Sequence, residues 1–357
     1  MSNRQGVWSL ASHFQAIGDT NWLMPPGVPT SVTATGGNTN ASVAFTAPSF
    51  AGIPGTITGF KVTSSEGETA TGSSSPITVT SLTNGTAYTF TVQAQNAIGL
   101  GKASSASSSI SPALGRGIFA GGVSNARENT IDYVSIASTG NATDFGDLTS
   151  IRQMGSQLMS SSTRGVFAGG ITGSTFYSNI IDYITIASTG DATDFGDLTV
   201  GRLGAGGCSN NTRAVIFNGG QASGTDNTMD YITIASVGNA TDFGDTTTTP
   251  HTNCGVASPT RGIRAGGEDL NVIDYITIGS TGDATDFGDL TQAGYGPAAA
   301  GSNSRAVFAG RYKSGPEEFN IIDYVTIAST GNATDFGDLA TALQGAMGTS
   351  NSTRAVF

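Results

Sequence analysis

The tetrapeptide Asp-Phe-Gly-Asp occurs five times in this 357-residue chain, at Asp144–Asp147, Asp194–Asp197, Asp242–Asp245, Asp286–Asp289 and Asp335–Asp338. Two carboxylates around a glycine could hold a hard cation, but such an ion takes about six oxygen ligands. Phosphoryl transfer would also need a Gly-rich phosphate loop and a strand lysine, and neither accompanies the motif. Five copies on equivalent turns therefore read as structure, with Asp accepting backbone N–H groups and Gly supplying positive φ. Calcium on the paired carboxylates is the alternative. A carboxylate pair for glycoside cleavage also stays open, because Glu128, Glu268, Glu317 and Glu318 lie in segments that differ between copies. His13 and His251 are the only histidines, so no Ser/His/Asp set and no His-based metal site is expected. Cys208 and Cys254 fall in the same part of successive copies and read as small apolar residues, with a disulfide unforced. No cofactor and no catalytic residue is expected.

A second recurring group is arginine, at Arg116, Arg164, Arg213, Arg261, Arg305 and Arg354, spaced 48, 49, 48, 44 and 49 residues apart. Asp-Tyr pairs recur with it, at Asp132-Tyr133, Asp182-Tyr183, Asp230-Tyr231, Asp274-Tyr275 and Asp323-Tyr324. The expectation is an ion pair or a carbonyl cap in each copy. A ring of guanidinium groups gripping an acidic glycan is the alternative, disfavoured because equivalent residues around a ring do not readily converge on one spot.

The elements that would position these groups follow from the self-similarity. Each copy offers about four short strands: a Gly/Ser-rich run, R-G-V-F-A-G-G, I-D-Y-I-T-I-A, and D-F-G-D-L-T. Four strands in under 50 residues make one propeller blade. The period, and Gly-Gly at 121–122, 169–170, 219–220 and 266–267, resemble kelch repeats, with Gly310-Arg311 a departure. Galactose oxidase, which is kelch-like, needs two histidines at its copper, and only His251 lies in these repeats. The D-F-G-D turn is similar to the Asp-box turn of sialidase-like propellers. The run Thr349–Phe357 reads as a first strand and part of a second, placed to complete the first blade and close a ring of five.

Between near-copied strands the loops Val123–Thr130, Ile171–Asn179, Gln221–Thr228, Glu268–Val272 and Arg311–Asn320 differ. A rigid scaffold with varied loops is how binding surfaces are built. The candidate ligand-binding residues are Arg127, Glu128, Phe176, Tyr177, Asp226, Glu268, Asp269, Arg311, Tyr312 and Glu317.

Upstream, Pro25-Pro26-Gly27 opens a unit of alternating short runs such as Val43-Ala44-Phe45 and Tyr88-Thr89-Phe90-Thr91-Val92, the pattern of a β-sandwich. The run Leu82-Thr83-Asn84-Gly85-Thr86-Ala87-Tyr88, followed by Val92–Gly101, resembles the strand E to F corner of fibronectin type III domains. That resemblance implies a Tyr88 hydroxyl tied to the backbone upstream, and puts Phe45 where the family usually has Trp. Residues 1–24 stand apart, with Val7, Leu10, Ala11, Phe14 and Ile17 at helical spacing and both tryptophans, Trp8 and Trp22. So short a segment cannot bury these groups within itself. It is expected either to pack on the next domain or to dock on a larger particle through Val7, Trp8, Leu10, Phe14 and Trp22.

Composition limits the partners. Lys61, Lys102 and Lys313 are the only lysines and the net charge is −11, so no basic track suits nucleic acid. The 51 glycines and 11% charged residues suit short strands and tight turns rather than long helices. No signal peptide and no apolar run long enough to span a membrane is read in the chain.

Arg4-Gln5-Gly6-Val7-Trp8, the sandwich and the IDYITIASTGNATDFGDL-type repeats together resemble virion proteins of tailed bacteriophages, notably marine cyanophages. The resemblance implies a displayed structural protein of the virion, homo-oligomeric on the particle and joined to other virion proteins through the N-terminal segment. The expected fold is all-β: a docking segment at 1–24, a fibronectin type III-like sandwich at 25–113 and a five-bladed kelch-like propeller at 114–357. The expected function is a non-enzymatic tail-fibre or appendage adhesin binding host-surface glycan through the propeller loops. The alternatives are a capsid decoration or head-fibre protein, and a glycan-cleaving enzyme.

Overall fold

A computed structural model describes residues 23–357 apart from 54, 113–114, 137–138, 157, 316, 343–344 and 352–353, together with the side chains of 225 and 317. The docking residues Val7, Trp8, Leu10, Phe14 and Trp22 lie outside the described residues. The chain divides into two compact units, the second beginning at Gly115. Among the described residues every regular element is a strand.

The first unit holds β1 (Thr30–Gly37), β2 (Asn40–Thr46), β3 (Gly59–Ser64), β4 (Thr69–Gly72), β5 (Ile77–Thr80), β6 (Phe90–Asn96) and β7 (Gly99–Leu100). They form two antiparallel sheets, ordered β1-β2-β5 and β4-β3-β6-β7. Alternate residues point inward, as the pleat requires. Val43, Val62, Val79, Phe90 and Val92 are fully buried, and the Phe45 and Phe60 rings meet at 4.7 Å. The Thr83 N–H donates to the Tyr88 hydroxyl at 3.0 Å, which is the corner that the sequence pattern implies. Beyond β6 a serine-rich stretch closes the sheet edge. The Ser104 and Ser107 hydroxyls accept the Val92 and Phe90 N–H groups, and the serines' own N–H groups donate to the same two residues' carbonyls.

The second unit is a series of antiparallel sheets, each following chain order. Sheet 1 has three strands, β8 (Arg116–Ala120), β9 (Thr130–Ser135) and β10 (Thr143–Asp147). Sheet 2 has four, β11 (Met159–Ser160), β12 (Arg164–Ala168), β13 (Ile180–Thr185) and β14 (Thr193–Asp197). Sheet 3 begins with β15 (Gly207–Ser209) and β16 (Arg213–Ile216). A small hairpin of β17 (Gly220–Gln221) and β18 (Gly224–Thr225) interrupts it before β19 (Thr228–Thr233) and β20 (Thr241–Asp245). Sheet 4 comprises β21 (Cys254–Ala257), β22 (Arg261–Ala265), β23 (Val272–Thr277) and β24 (Thr285–Asp289). Sheet 5 comprises β25 (Ala298–Gly301), β26 (Arg305–Lys313), β27 (Glu317–Thr326) and β28 (Thr334–Asp338). A last pair, β29 (Thr349–Ser350) and β30 (Ala355–Val356), forms a sheet of its own.

The D-F-G-D segments are outer strands, and each carries the same bulge. In sheet 2, Ile181 faces Gly196 and Asp182 faces Asp194, so Phe195 has no opposite residue. The bulge turns the phenylalanine out of the ladder and into the gap between sheets. Phe145, Phe195, Phe243 and Phe287 are each only 2% exposed there. The glycine that follows has φ of 142° at Gly196, and a Cβ on it would stand 2.5 Å from the Gly238 carbonyl oxygen of the next sheet. Gly therefore serves both backbone conformation and close approach.

Neighbouring sheets are joined by repeated polar contacts. The Gly190 and Ala192 N–H groups donate to the Phe145 and Asp147 carbonyls at 2.7 Å, and the pattern recurs up to Gly331 and Ala333 on Phe287 and Asp289. Arg116, Arg164, Arg213, Arg261 and Arg305 each stack on the tyrosine of their own sheet, 4.4 Å from the ring centre for Arg116 on Tyr133. The first four also cap a carbonyl of the following sheet: Arg116 on Ile186, Arg164 on Ile234, Arg213 on Ile278 and Arg261 on Ile327. Of the two roles expected for this arginine, the structure has the carbonyl cap.

Arg354 makes the same kind of contact, to the Ile136 carbonyl of sheet 1 at 3.1 Å. The C-terminal strands pair with each other and pack against β25 and β8; they are not paired to the inner edge of β8, where the sequence reading placed them. The reason is local. Ser350 exchanges hydrogen bonds with Gly301 as Ser209 does with Ser160, and Gly348 lies on the Ala299 carbonyl as Gly255 lies on that of Gly207. The last repeat segment carries the contacts that seat a new sheet on its predecessor.

Candidate functional site

Ionisable groups inside the second unit are neutralised in pairs. Arg152 meets Asp182 at 2.9 Å, Arg202 meets Asp230 at 2.8 Å, and both Arg264–Asp274 and Arg311–Asp323 close to 2.6 Å. The aspartates are those of the repeated Asp-Tyr pairs. Thr149, Thr199 and Thr291, from the Leu-Thr that follows D-F-G-D, donate a hydroxyl to the same carboxylates at 2.6–2.7 Å. Burial pushes the Arg202 guanidinium below its ordinary value and the Asp230 carboxyl above its own, each opposed by the attraction of its partner. Such a pair is costly to break, because removing one partner leaves the other as an uncompensated buried charge.

Three different chain positions supply these arginines. Arg152 and Arg202 come from the connections before β11 and β15, Arg264 from within β22 and Arg311 from the end of β26. This corrects the expectation for Arg311: it is fully buried against Asp323 and is no loop contact. It stands where other repeats have the second glycine of Gly-Gly, and the connection before β25 contains no arginine.

The remaining candidates separate by loop. Glu128 accepts the Ser124 hydroxyl at 2.6 Å within its own loop, beside Arg127. Phe176, 59% exposed, meets Tyr177 edge-on at 5.5 Å. Asp226 braces its loop by accepting from Thr228 and Gln221. Partial burial pushes its carboxyl up, and those donors outweigh it and hold the group below its ordinary value. Glu317 begins β27, facing Lys313 in register.

Glu268, Asp269 and Tyr312 do come together, across the loops of sheets 4 and 5. The His251 Nδ1 lies against the Glu268 carboxylate, and the His251 ring is 6.0 Å from that of Tyr295. The Tyr295 and Tyr312 rings are 6.1 Å apart, and their backbones exchange two hydrogen bonds. Asp269 accepts the Ser314 N–H from the facing loop at 3.1 Å, and the Ser314 donors hold its carboxyl below the ordinary value. Glu268 and Asp269 have φ of 46° and 60° in a turn closed by the Leu270 N–H on the Gly267 carbonyl. Non-glycine residues rarely hold this conformation, and where they do it is often at a binding site. The result is a half-exposed cluster of three aromatic rings and two carboxylates. Such a surface can stack on the apolar face of a ring-shaped ligand and accept hydrogen bonds from its hydroxyls. Sequence reasoning missed His251 and Tyr295, which lie in connections between sheets. Among the described residues no group of three or more His, Cys, Asp and Glu is placed to hold a metal ion.

A second concavity, of about 520 Å³, is lined by the first-to-second-strand turns of successive sheets, including Ser160, Ser209, Asn210, Ser258, Ser302 and Asn351. Its lining carries no ionisable side chain and is mostly hydroxyl and amide, with Ala257 and Pro259 among it, and it was not anticipated from the sequence.

Residues 26–110 match the fibronectin type III domain family. A comparison with curated proteins finds no match to the chain.

Proposed function

We propose that the chain is a non-enzymatic adhesin of a tailed-phage virion, in which the second unit is a propeller with six blade positions that binds a host-surface glycan. The sheets stand as blades, the short inner strands β11, β15, β21, β25 and β29 contacting one another in sequence. Kelch-like geometry is supported by the Gly-Gly pairs at 121–122, 169–170 and 266–267, all at positive φ. Virion origin is supported by the leader and repeat patterns alone.

The observation that carries the binding reading is the His251–Glu268–Asp269–Tyr295–Tyr312 cluster. It gathers aromatic rings and carboxylates where the repeats diverge, on strands that are otherwise close copies. The ionisable groups beneath it are consumed in buried pairs. Aromatic faces with a few fixed polar groups are the makings of a site for a small, neutral, hydroxyl-rich ligand.

The test is binding of the purified chain to an array of host-surface polysaccharides, repeated with Tyr295→Ala and Tyr312→Ala. Loss of binding by tenfold or more in both variants, with unchanged melting, is the expected result. Equal binding by both variants refutes this site, and steady release of sugar from a bound polysaccharide refutes the non-enzymatic reading.

A further inference from the structure

The hairpins that join the first two strands of sheets 2 to 5 are closed alike. The Ser161, Asn210, Ser258 and Ser302 N–H groups each donate to the carbonyl of the arginine that opens the second strand. The residue just before, Ser160, Ser209, Ala257 or Gly301, faces Gly165, Ala214, Gly262 or Ala306 in register. Antiparallel ladders alternate bonded and non-bonded pairs, so these residues turn their own N–H and C=O groups away from the hairpin.

At two of these places a serine of the adjoining strand satisfies both groups. The Ser209 hydroxyl accepts the Ser160 N–H at 2.8 Å and donates to the Ser160 carbonyl at 3.0 Å. The Ser350 hydroxyl does the same for Gly301, at 2.9 and 2.6 Å. Beside Ser209 the place of that serine is held by Ala257, and beside Ala257 by Gly301, and neither carries a hydroxyl. Among the described residues no side chain bonds to the backbone N–H and C=O groups of Ser209 and Ala257, although β15 and β21 adjoin closely enough that a Cβ on Gly255 would stand 2.3 Å from the Gly207 carbonyl oxygen. Both residues line the concavity of about 520 Å³, as do the exposed Asn211 and Asn303, whose carboxamides make no hydrogen bond among the described residues. The concavity lies at the opposite strand ends from the aromatic cluster: His251 precedes Cys254 and Glu268 follows Ala265, which are paired at the other end of β21 and β22.

We propose that this concavity is a second ligand site, for an uncharged saccharide whose hydroxyls take the places of the absent serine hydroxyls beside Ser209 and Ala257. A hydroxyl donates and accepts at once, which is what the N–H and C=O of one residue require, and a sugar carries such groups on adjacent carbons. The contacts of Ser209 on Ser160 and of Ser350 on Gly301 show the geometry that the sugar hydroxyls reproduce. The carboxamides of Asn211 and Asn303 add further donors and acceptors, and Pro259 adds an apolar face. No ionisable side chain lines the concavity, so a charged ligand would give up hydration without meeting a counter-charge. This site is independent of the His251–Tyr312 cluster and does not rest on it.

The probes are glucose, N-acetylglucosamine and maltose, titrated by calorimetry into the full chain and into the chain carrying Tyr295→Ala and Tyr312→Ala, which separates this site from the aromatic cluster. Saturable binding of at least one probe to both chains is expected. Ala257→Ser supplies from within the protein the hydroxyl that Ser209 lacks, so it should raise the melting temperature and weaken the sugar about tenfold. Asn211→Ala with Asn303→Ala, at exposed turn positions, should melt as the parent does and weaken the sugar roughly threefold or more. The proposal is overturned if none of the probes binds, which would leave these backbone groups to water. It is overturned if binding disappears with the two tyrosines, which would hold the sugar at the cluster alone, or if a folded Ala257→Ser binds as tightly as the parent. Should Ala257→Ser melt below the parent, the asparagine variant decides, and unchanged binding there overturns the proposal.

Discussion

Arg264 and Asp274 face each other across β22 and β23, with Nη2 2.6 Å from Oδ2, and the arginine stands where the other repeats have Phe119, Phe167, Ile216 and Phe308. The pair is fully buried, so losing either partner leaves an uncompensated charge, which costs about 3–5 kcal/mol. Arg264→Phe restores the common residue of the repeat and is nevertheless expected to lower the melting temperature by roughly 6–20 °C. Pro250 occupies the place of Arg152 and Arg202 in the preceding connection. Adding Pro250→Arg to Arg264→Phe should recover most of the loss. A double variant melting no higher than the single one would show that the aspartates do not require an arginine from whichever position can reach them.

The same pair shows where the sequence was legible. Strand alternation and turn residues located the sandwich, and near-copied segments located the repeat strands, because both patterns are local. The arginines that neutralise the Asp-Tyr aspartates were not legible, because three unrelated chain positions converge on one point only after folding. The place of Thr349–Phe357 was missed for a similar reason. It looks like a strand able to finish sheet 1, yet Ser350 exchanges hydrogen bonds with Gly301 of sheet 5, and only the Arg354 side chain reaches the Ile136 carbonyl of sheet 1. At the candidate site, Glu268, Asp269 and Tyr312 were readable as loop residues, whereas His251 and Tyr295 sat in connections that look like scaffold.

Gly196 and Gly337 separate backbone strain from sheet-to-sheet contact. Their φ values are alike, 142° and 140°, but a Cβ at Gly196 would collide with Gly238 whereas one at Gly337 meets nothing within 4 Å. Gly337→Ala should cost only the conformational term, about 1–3 kcal/mol. Gly196→Ala should cost clearly more, since it forces two sheets apart. Equal losses in denaturant titration would contradict the close approach.

Tyr88→Phe tests the first unit by itself. The ring is buried and its hydroxyl accepts the Thr83 N–H, so removing the oxygen leaves a part-buried donor unpaired, at about 1–3 kcal/mol. Differential scanning calorimetry should show the transition of the first unit lowered and that of the second unmoved. A shift of both would mean that the two units do not unfold independently.

Cys208 and Cys254 are free and buried, and desolvation pushes both thiols up, Cys254 to about 12 from an ordinary 9.0. A thiol whose folded value is raised titrates first in the unfolded chain. Below pH 9 both states are protonated and the groups are silent. As pH climbs from about 9 towards 12, the unfolded chain sheds protons that the folded one keeps, so stability should fall, by up to about 1.4 kcal/mol per pH unit for each thiol. Alkaline denaturation midpoints measured on the parent and on Cys208→Ala/Cys254→Ala should therefore diverge above pH 9, the parent losing stability faster. At pH 8 the same burial should keep both thiols unreactive towards a disulfide reagent until the second unit unfolds, because the attacking species is the thiolate. Rapid modification of the native chain at pH 8 would place at least one of these sulfurs at the surface, against the packing of Cys208 and Cys254 between inner strands.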